Sequence, residues 1–426
     1  MPSIDELSAQ EILDSRGRPT VSATCTLRGG ATASASVPSG ASTGQAEAHE
    51  LRDGDPSRYA GLGCQTAVRN IEGEIRTALC APHAPDLDQA KLDSLLIQLD
   101  GTTDKRRLGA NALLAVSLAF ARAQAAAQQI PLFQYLATLV GTSAPRLLPR
   151  PTINLWSGGK HAGGQVAIQD VLLVPTQPTI DECLAATFAV YQAAARLVTS
   201  KYAQRPLRAD EGGLAPPFPD AATMMKDAVT AIENAGLTPG RDMALAIDVA
   251  SSHFFDRGSY HLDGQSLTPL QMIDRLDGWV RAYPLVSVED GLAEDDWTHW
   301  PMLVDRLRGQ ALVMGDDFLC TNPARIAKAV PARAATALLL KVNQIGTLTE
   351  AAQSFSLARD AGWAVTVSAR SGETEDDWLA DLAVGFGGDQ IKVGSITQSE
   401  RLAKYNRLLA IERKTSLPVN PWPRRT

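Results

Sequence analysis

Five short apolar segments in the second half of the chain each carry a charged residue at or near one end. Isolated buried charges cost far more free energy than packing returns, so such residues must be paired or bound to a metal ion. The pattern therefore predicts three carboxylates and two ammonium groups gathered at one place in the fold. The segments are Met243–Ala250 with Asp248, Pro284–Asp290 with Glu289, Ala311–Asp317 with Asp316, Ala337–Gln344 with Lys341, and Asp389–Ser395 with Lys392.

The spacing of these segments favours repeated strand–helix units, which take roughly 30 residues each. The longest gap holds a further strand at Trp363–Arg370. Alternation of this kind predicts either a parallel β/α barrel or a doubly wound sheet. Charged residues at the carboxyl ends of strands are typical of barrel active sites, although open sheets follow a similar rule. We favour the barrel, with helical patterns at Thr179–Ser200, Ala221–Ala235 and Thr347–Asp360.

A chain of 426 residues exceeds one ordinary hydrophobic core, which favours two domains. The proline-punctuated stretch 145–151 is the candidate boundary, and it separates a mixed N-terminal domain at 1–145 from the β/α domain at 146–426. Within the first domain, two alternating runs around Gly29-Gly30 predict a β-hairpin, and three helical patterns follow. These are Val21–Leu27 and Ala31–Val37 for the strands, and Gln65–Leu79, Leu87–Leu99 and Gly109–Gln129 for the helices.

The amino-acid composition argues against some classes of binding partner. A net charge of −7 provides no basic surface for nucleic acid or an anionic membrane, so a small anionic substrate would need local cations or metal ions. Five scattered cysteines without a CxxC pair indicate a reducing cytoplasm. The first residues lack the features of a signal peptide, and no run approaches the roughly 20 apolar residues of a membrane span. We expect a cytoplasmic protein with neither nucleic acid nor membrane as its partner.

Seven motifs, in order along nearly the whole chain, resemble those of the enolase family. The resemblance implies an α/β protein in which an N-terminal α+β domain caps a modified eight-stranded β/α barrel, and it implies a homodimer. The motifs are Glu11–Val21, Val37–Gly44, Asp210–Pro216, Asp248–Ser252, Leu338–Glu350, Ser371–Asp376 and Ser399–Asn406.

The resemblance also implies two Mg²⁺ ions per active site. Asp248, Glu289 and Asp316 match the metal ligands of the family, and hard carboxylate oxygens suit Mg²⁺. Ser42, in the glycine-rich loop, matches the lid residue that brings a second Mg²⁺ to the substrate phosphate. Removing a proton next to a carboxylate creates a dianionic intermediate, and divalent cations stabilise that developing charge.

Three further matches concern proton transfer. Lys341 matches the base that removes the α-proton, and Lys392 matches the lysine that pairs with the substrate carboxylate. An ordinary lysine has a pKa of about 10.4, so we expect nearby cations to depress the pKa of Lys341. Glu211 matches the acid that protonates the departing hydroxide.

Phosphate contacts are implied for Arg370 and Ser371, since a planar guanidinium suits bidentate phosphate binding. His161, within Gly158–Gly164, matches a second mobile loop, and Gln169 matches the strand that adjoins this loop.

Two positions inside the implied site depart from the family pattern. Ala369 stands where the family has a histidine, and Asp170 stands where it has a glutamate. The shorter Asp170 withdraws its carboxylate by one methylene group, which loosens a catalytic hydrogen-bond network. The missing imidazole removes a donor and opens space beside the phosphate and hydroxyl groups. The departures therefore concern the phosphorus group or the departing group, and not α-proton abstraction.

Three functions follow from this combination. The first is dehydration of 2-phosphoglycerate, or of a close phosphorylated or phosphonylated carboxylate, to an enolpyruvate product. The second is a carboxyphosphonoenolpyruvate synthase-like reaction of phosphonate or phosphinate antibiotic biosynthesis, which uses 2-phosphoglycerate and an activated phosphonoformate. The third is a non-catalytic homologue that serves as a binding protein, although the complete set of carboxylates and lysines argues against it.

Overall fold

The computed structural model describes residues 3–41, 43–80 and 87–423. It begins with a three-stranded antiparallel sheet in the order β1-β2-β3, and the predicted hairpin forms its second and third strands. Gly30 adopts a φ of 86° in the turn between them, a conformation that glycine tolerates best. The strands are β1 (Ile4–Leu13), β2 (Pro19–Leu27) and β3 (Thr32–Ser36).

Helices pack against this sheet. The first two are continuous through a π-helical segment at Ile71–Ile75. The helix α4 packs on β2 and β3 and is buried on nearly all sides, as its Ala/Leu-rich composition predicts. By length and apolarity α4 could span a membrane, and 83% of it is buried inside the protein. The helices are α1 (Gln65–Asn70), α2 (Arg76–Leu79), α3 (Gln89–Asp100), α4 (Ala110–Ala127) and α5 (Leu132–Leu139).

Eight strands of the second half close into a barrel, as predicted in preference to an open sheet. Along the chain, a small three-stranded sheet lies between the third and fourth barrel strands. The first three barrel strands are β4 (Arg150–Ser157), β5 (Asp170–Pro175) and β6 (Met243–Asp248). The small sheet comprises β7 (Phe255–Asp256), β8 (Ser259–Leu262) and β9 (Gln265–Leu267). The remaining barrel strands are β10 (Leu285–Glu289), β11 (Leu312–Gly315), β12 (Ala337–Leu340), β13 (Ala364–Ser368) and β14 (Gln390–Gly394).

One barrel strand runs against the others. The strand β5 is antiparallel to both of its neighbours, β4 and β6, whereas the other neighbouring pairs are parallel. Its first residue, Asp170, therefore pairs with Asp248 at the end of β6. This reversal brings the beginning of β5 to the barrel end at which the other strands finish.

Helices connect the barrel strands and cover the barrel. Several begin at side chains that cap their free N–H groups, among them Thr179, Asp220 and Thr347. The helices are α6 (Ile180–Tyr202), α7 (Ala221–Asn234), α8 (Pro269–Ala282), α9 (Trp300–Leu307), α10 (Pro323–Ala332), α11 (Leu348–Asp360), α12 (Trp378–Phe386) and α13 (Ser399–Thr415).

The N-terminal domain contacts the barrel domain at the start of α11, the helix that follows Lys341. The Asp93 carboxylate accepts hydrogen bonds from the N–H and hydroxyl groups of Thr349, at the start of α11. Lys105 pairs with Glu350 in the same helical turn at 2.8 Å. These buried polar contacts fix the position of the N-terminal domain over one side of the barrel mouth.

Candidate active site

The charged residues predicted from the strand ends lie together at one end of the barrel. Asp248 and Glu289 are the last residues of β6 and β10, and they pair in register. Lys392 lies within β14, while Asp316 and Lys341 directly follow β11 and β12. Asp248, Glu289 and Lys392 are only 2%, 4% and 6% exposed. The barrel therefore brings all five residues to one buried site.

The Lys392 ammonium group bridges two carboxylates. Its Nζ donates to Asp248 Oδ2 at 3.0 Å and to the two oxygens of Glu289 at 2.8 and 2.9 Å. Burial alone would lower the pKa of Lys392, but the charges of Asp248 and Glu289 raise it well above its ordinary value. Burial and the adjacent Asp248 raise the pKa of Glu289 well above its ordinary value. Two carboxylates share one lysine, which leaves an excess of negative charge.

Lys341 is held by a different carboxylate. Its Nζ donates to Asp316 Oδ2 at 2.5 Å, and Gln344 Nε2 donates to Asp316 Oδ1 at 2.9 Å. Burial opposes the charged form of Lys341, yet the Asp316 carboxylate raises its pKa despite the nearby charge of Arg370. In this ion pair the pKa shift runs opposite to the depression expected from nearby cations, because a contacting carboxylate outweighs more distant cations. The depressed pKa expected for Lys341 beside bound metal ions stays a prediction. Lys341 can accept a proton only after the contact with Asp316 is lost.

The carboxylates at this barrel end are not all arranged as predicted. Asp290, Asp316 and Asp317 form an acidic trio whose ligand oxygens lie within 4.8 Å of one another. The predicted trio of Asp248, Glu289 and Asp316 does not form such a group in the described part of the chain, and a lysine contacts each of its members. Asp290 accepts the backbone N–H groups of Asp316 and Asp317, each at 2.8 Å. Asp290 therefore orients the turn that carries Asp316, a role that the sequence analysis missed.

Gln169 adds an oxygen atom to the same cluster. Its Nε2 donates to Asp248 Oδ2 at 3.1 Å, whereas its buried Oε1 has no hydrogen-bond partner among the described residues. A buried oxygen without a donor is costly, so this atom is suited to accept a bond from a ligand. The excess of carboxylates and the hard oxygen donors fit a divalent cation such as Mg²⁺.

Arg370, the predicted phosphate ligand, is paired with a carboxylate from the N-terminal domain. Its Nη1 and Nη2 donate to the two oxygens of Glu47 at 3.0 and 3.2 Å, and both side chains are buried. The Gly44 N–H donates to Glu47 Oε1 at 3.1 Å, so the same carboxylate also holds the end of the glycine-rich loop. Glu47 thus contacts the guanidinium edge that suits a phosphate. The sequence analysis missed Glu47, whose only signal is its place three residues after the loop.

Of the two serines predicted for the site, only Ser371 lies among the described residues. The hydroxyl oxygen of Ser371 accepts a hydrogen bond from Arg16 Nη1 at 3.2 Å. Arg16 also donates to the carbonyl oxygen of Ser39, so Ser371 lies beside the glycine-rich loop. Ser42, the predicted lid ligand, lies outside the described residues.

His161 stands between two acids on the opposite side of the site. Its Nδ1 shares a hydrogen bond with Asp170 Oδ2 at 3.1 Å, and its Nε2 lies 3.8 Å from Glu211 Oε1. Asn154 Nδ2 donates to Glu211 Oε2 at 3.0 Å. Ala369 directly follows β13, and its N–H donates to the Lys392 carbonyl oxygen at 2.8 Å, while its methyl group is buried in the hydrophobic core.

Two family models match the chain. The model described as the enolase N-terminal domain matches residues 4–136, and the one described as the enolase C-terminal TIM barrel domain matches residues 145–418. The chain belongs to the enolase family. This membership supports an enzyme of the enolase superfamily, and enolase-family proteins typically bind Mg²⁺, for which the acidic cluster at the barrel mouth offers ligands.

This enolase-family chain also uses two buried cations of α13 to shape its site. Arg401 donates to the carbonyl oxygens of Arg370 and Ser371 at 2.7 and 2.5 Å. Lys404 pairs with Glu373 at 2.8 Å. The sequence analysis gave Arg401 and Lys404 no role in the site. Their burial shows that this helix fixes the backbone of the loop that carries Arg370.

The contact between Glu47 and Arg370 leads to a prediction about anion binding. Glu47 occupies the guanidinium group of Arg370, the predicted phosphate ligand, so we expect Glu47→Gln to raise the affinity for inorganic phosphate about tenfold. Titration calorimetry of the full chain measures this affinity. The control is Glu294→Gln, because Glu294 accepts the Gln45 N–H at 2.9 Å near the same loop. Equal affinities in wild type and Glu47→Gln would show that Glu47 does not compete with phosphate.

Proposed function

We propose that this chain is a Mg²⁺-dependent enzyme that removes the α-proton of 2-phosphoglycerate, or of a close phosphorylated or phosphonylated analogue, to give an enolpyruvate product. The observation that carries the proposal is the convergence of Lys341 and Lys392 with three buried carboxylates at one end of the barrel. We also propose that the protein is a cytoplasmic homodimer with two Mg²⁺ ions per active site.

Each lysine has a defined task in this proposal. Lys392 binds the substrate carboxylate, since it is buried and the charges of Asp248 and Glu289 raise its pKa, which favours the charged ammonium form. Lys341 takes the α-proton once its contact with Asp316 has been lost. Mg²⁺ bound by Asp248, Glu289 and Asp316 would stabilise the negative charge that develops on the substrate carboxylate. Arg370 binds the phosphate group, for which it must leave Glu47.

Two residues on the proposed side of the departing group, Ala369 and Asp170, favour a second candidate function. Ala369 presents a methyl group where the family has an imidazole, and Asp170 contacts His161. A methyl group in place of an imidazole would leave room for a larger phosphorus substituent, as in the carboxyphosphonoenolpyruvate synthase-like reaction of 2-phosphoglycerate with an activated phosphonoformate. Both candidates use the same α-proton abstraction and differ in the second half of the reaction.

Phosphorus NMR distinguishes the candidates. Purified protein is incubated with Mg²⁺ and 2-phosphoglycerate, with and without cytidylyl-phosphonoformate. Phosphoenolpyruvate formed rapidly from 2-phosphoglycerate alone would establish dehydration. A new phosphorus resonance that requires the second compound would establish the synthase. Tight Mg²⁺ binding without turnover of any phosphorylated hydroxy acid would instead support a non-catalytic binding protein.

The two departures from the family pattern can be reversed. The double variant Ala369→His with Asp170→Glu restores an imidazole donor and a longer carboxylate. We expect it to raise dehydration of 2-phosphoglycerate about tenfold or more, because a positioned proton-transfer group typically contributes at least that much. The rate of phosphoenolpyruvate formation measures the change, and Ala167→Ser in the neighbouring loop serves as a control. Without a gain in the double variant, these positions do not account for the divergence.

A further inference from the structure

A cleft of about 1400 Å³ lies at the end of the barrel opposite the candidate active site. It is lined by the first residues of β10 and β11 and by the residues that lead into β12 and β13, whereas the charged residues of the active site lie where these strands finish. Leu285 begins β10 and Glu289 ends it, so roughly 13 Å of strand separates the two sites. A ligand bound in this basal cleft therefore takes no part in chemistry at the barrel mouth.

Four cationic side chains and one carboxylate line the basal cleft, although acidic residues outnumber basic ones in the chain by 47 to 40. Each cation belongs to a different helix or directly follows one, so closure of the barrel brings them together. The cleft is thus a positive region in a protein of net charge −7. The cations are Lys226 on α7, Arg281 on α8, Arg308 after α9 and Arg333 after α10, and the carboxylate is Glu233 on α7.

Two of the four cations are available to a ligand. Arg281 pairs with Asp277 at 3.0 Å, and Arg308 pairs with Asp305. The side chains of Lys226 and Arg333 are exposed and make no hydrogen bond or ion pair with any residue that the structure describes. An unpaired ammonium group and an unpaired guanidinium group can both donate to an anion, and the guanidinium fork matches the oxygen atoms of a phosphate.

The buried residues that line the cleft are apolar, and two of its lining residues are tryptophans. Leu285, Val286 and Ala335 are buried, as is Trp363. The half-buried Trp422 packs against the small apolar cluster of the barrel interior that includes Val286. Indole rings stack on planar rings, and pockets for ligands with such rings typically measure about 300–1000 Å³, which the cleft exceeds.

We propose that the basal cleft binds a polyphosphate that carries a flat ring, which is the chemistry of a nucleoside triphosphate. Lys226 and Arg333 contact the phosphate chain, and Trp363 and Trp422 contact the ring. Charge complementarity supports this occupant, because the two unpaired cations adjoin an apolar surface. The assignment does not rest on α-proton abstraction at the opposite end of the barrel.

Tryptophan NMR tests the proposal without substrate or turnover. The full chain, labelled with ¹⁵N in its indole groups, is titrated with ATP in EDTA, which prevents a metal ion from holding the nucleotide at the barrel mouth. Trp363→Phe and Trp422→Phe identify the two signals of the cleft. We expect both signals to shift along one saturating curve, and the affinity to fall as salt is added. Saturable binding that leaves both signals unchanged, or no binding up to about 10 mM ATP, would overturn the proposal.

Charge variants test which side chains hold the phosphate chain. We expect Lys226→Met and Arg333→Met each to weaken ATP binding at least about tenfold, since the loss of one charge-assisted contact typically costs that factor. Both side chains are exposed, so neither change should unfold the protein. The control is Lys414→Met, because Lys414 is an exposed cation in the last turn of α13 that does not line the cleft. Equal affinities in Arg333→Met and Lys414→Met would contradict the assignment.

Further probes identify the occupant. Tripolyphosphate supplies the charges without the ring and adenosine supplies the ring without the charges, so we expect each to bind at least about tenfold more weakly than ATP. Equal affinity for tripolyphosphate and ATP would contradict the role of the tryptophans. A polyglutamate peptide that binds as tightly as ATP would assign the cleft to an acidic protein segment. An ATP affinity that falls as protein concentration rises would show that a second copy of the chain covers the cleft, and either result would overturn the proposal.

Discussion

Replacement of Lys341 by methionine is expected to lower product formation by at least about a thousandfold, because no other amine occupies the position of the base. Methionine keeps the length of the side chain but cannot accept a proton. Lys341 directly follows β12, and Asp316, which accepts its hydrogen bond, retains the bond from Gln344 in the variant. The rate of enolpyruvate formation, followed by phosphorus NMR, gives the effect.

A matched control distinguishes lost chemistry from lost structure. Lys105 is 3% exposed and pairs with Glu350 at 2.8 Å, so Lys105→Met also removes a buried ion pair. We expect this variant to be destabilised but to keep its activity when folded. A Lys341→Met protein that retains more than about a tenth of wild-type activity would exclude Lys341 as the base.

Replacement of Lys392 by methionine is expected to produce the largest change in stability. It leaves the buried carboxylates of Asp248 and Glu289 without their ammonium partner, and breaking a buried pair in this way costs about 3–5 kcal/mol. Mg²⁺ should recover part of this loss, because the unpaired negative charge increases the affinity of the folded state for a cation. Urea unfolding in EDTA and in Mg²⁺ measures both effects.

Lys404→Met is the corresponding control. Lys404 is 1% exposed and pairs with Glu373 at 2.8 Å, away from the proposed metal ligands. Its loss should destabilise the protein without any additional gain from Mg²⁺. If Mg²⁺ stabilises Lys392→Met no more than it stabilises Lys404→Met, then Asp248 and Glu289 do not bind the cation.

The barrel and the position of its charged strand ends were predictable from local patterns. Apolar runs that end in Asp248 or Glu289 must be buried, and a buried charge requires partners. The convergence of these charged residues can therefore be inferred from each segment separately. The closed barrel confirms the predicted fold class. The catalytic and ligand roles of these residues stay predictions that the variants above test.

Other parts of the site depend on contacts that no local pattern encodes. Because β5 runs in the opposite direction to its neighbours, Asp170 reaches the barrel mouth from the beginning of a strand. A rule that places functional residues at the carboxyl ends of strands does not identify such a position. Glu47 meets Arg370 across 323 positions of sequence. The chain of contacts from Ser157 to Asp170 and His161 likewise depends on strand register and loop conformation.

The direction of the pKa shift of Lys341 in its ion pair with Asp316 could not be predicted for a related reason. Lysine and arginine neighbours could be anticipated from the strand ends, but their distances could not. The Asp316 carboxylate lies 2.5 Å from Lys341 Nζ, and this contact decides the direction of the pKa shift. Charges at such short range dominate those farther away, so electrostatics requires coordinates even when the participating residues are known.

Exchange of the C2 proton of 2-phosphoglycerate in D₂O tests the central claim most directly, because it reports α-proton abstraction whatever group departs afterwards. Proton NMR follows the C2 signal with wild-type protein and Mg²⁺, and with Lys341→Met. We expect the signal to disappear with the wild type and to persist with the variant. Loss of the signal at equal rates in both proteins would contradict the assignment of Lys341, and persistence in both would contradict α-proton abstraction from this substrate.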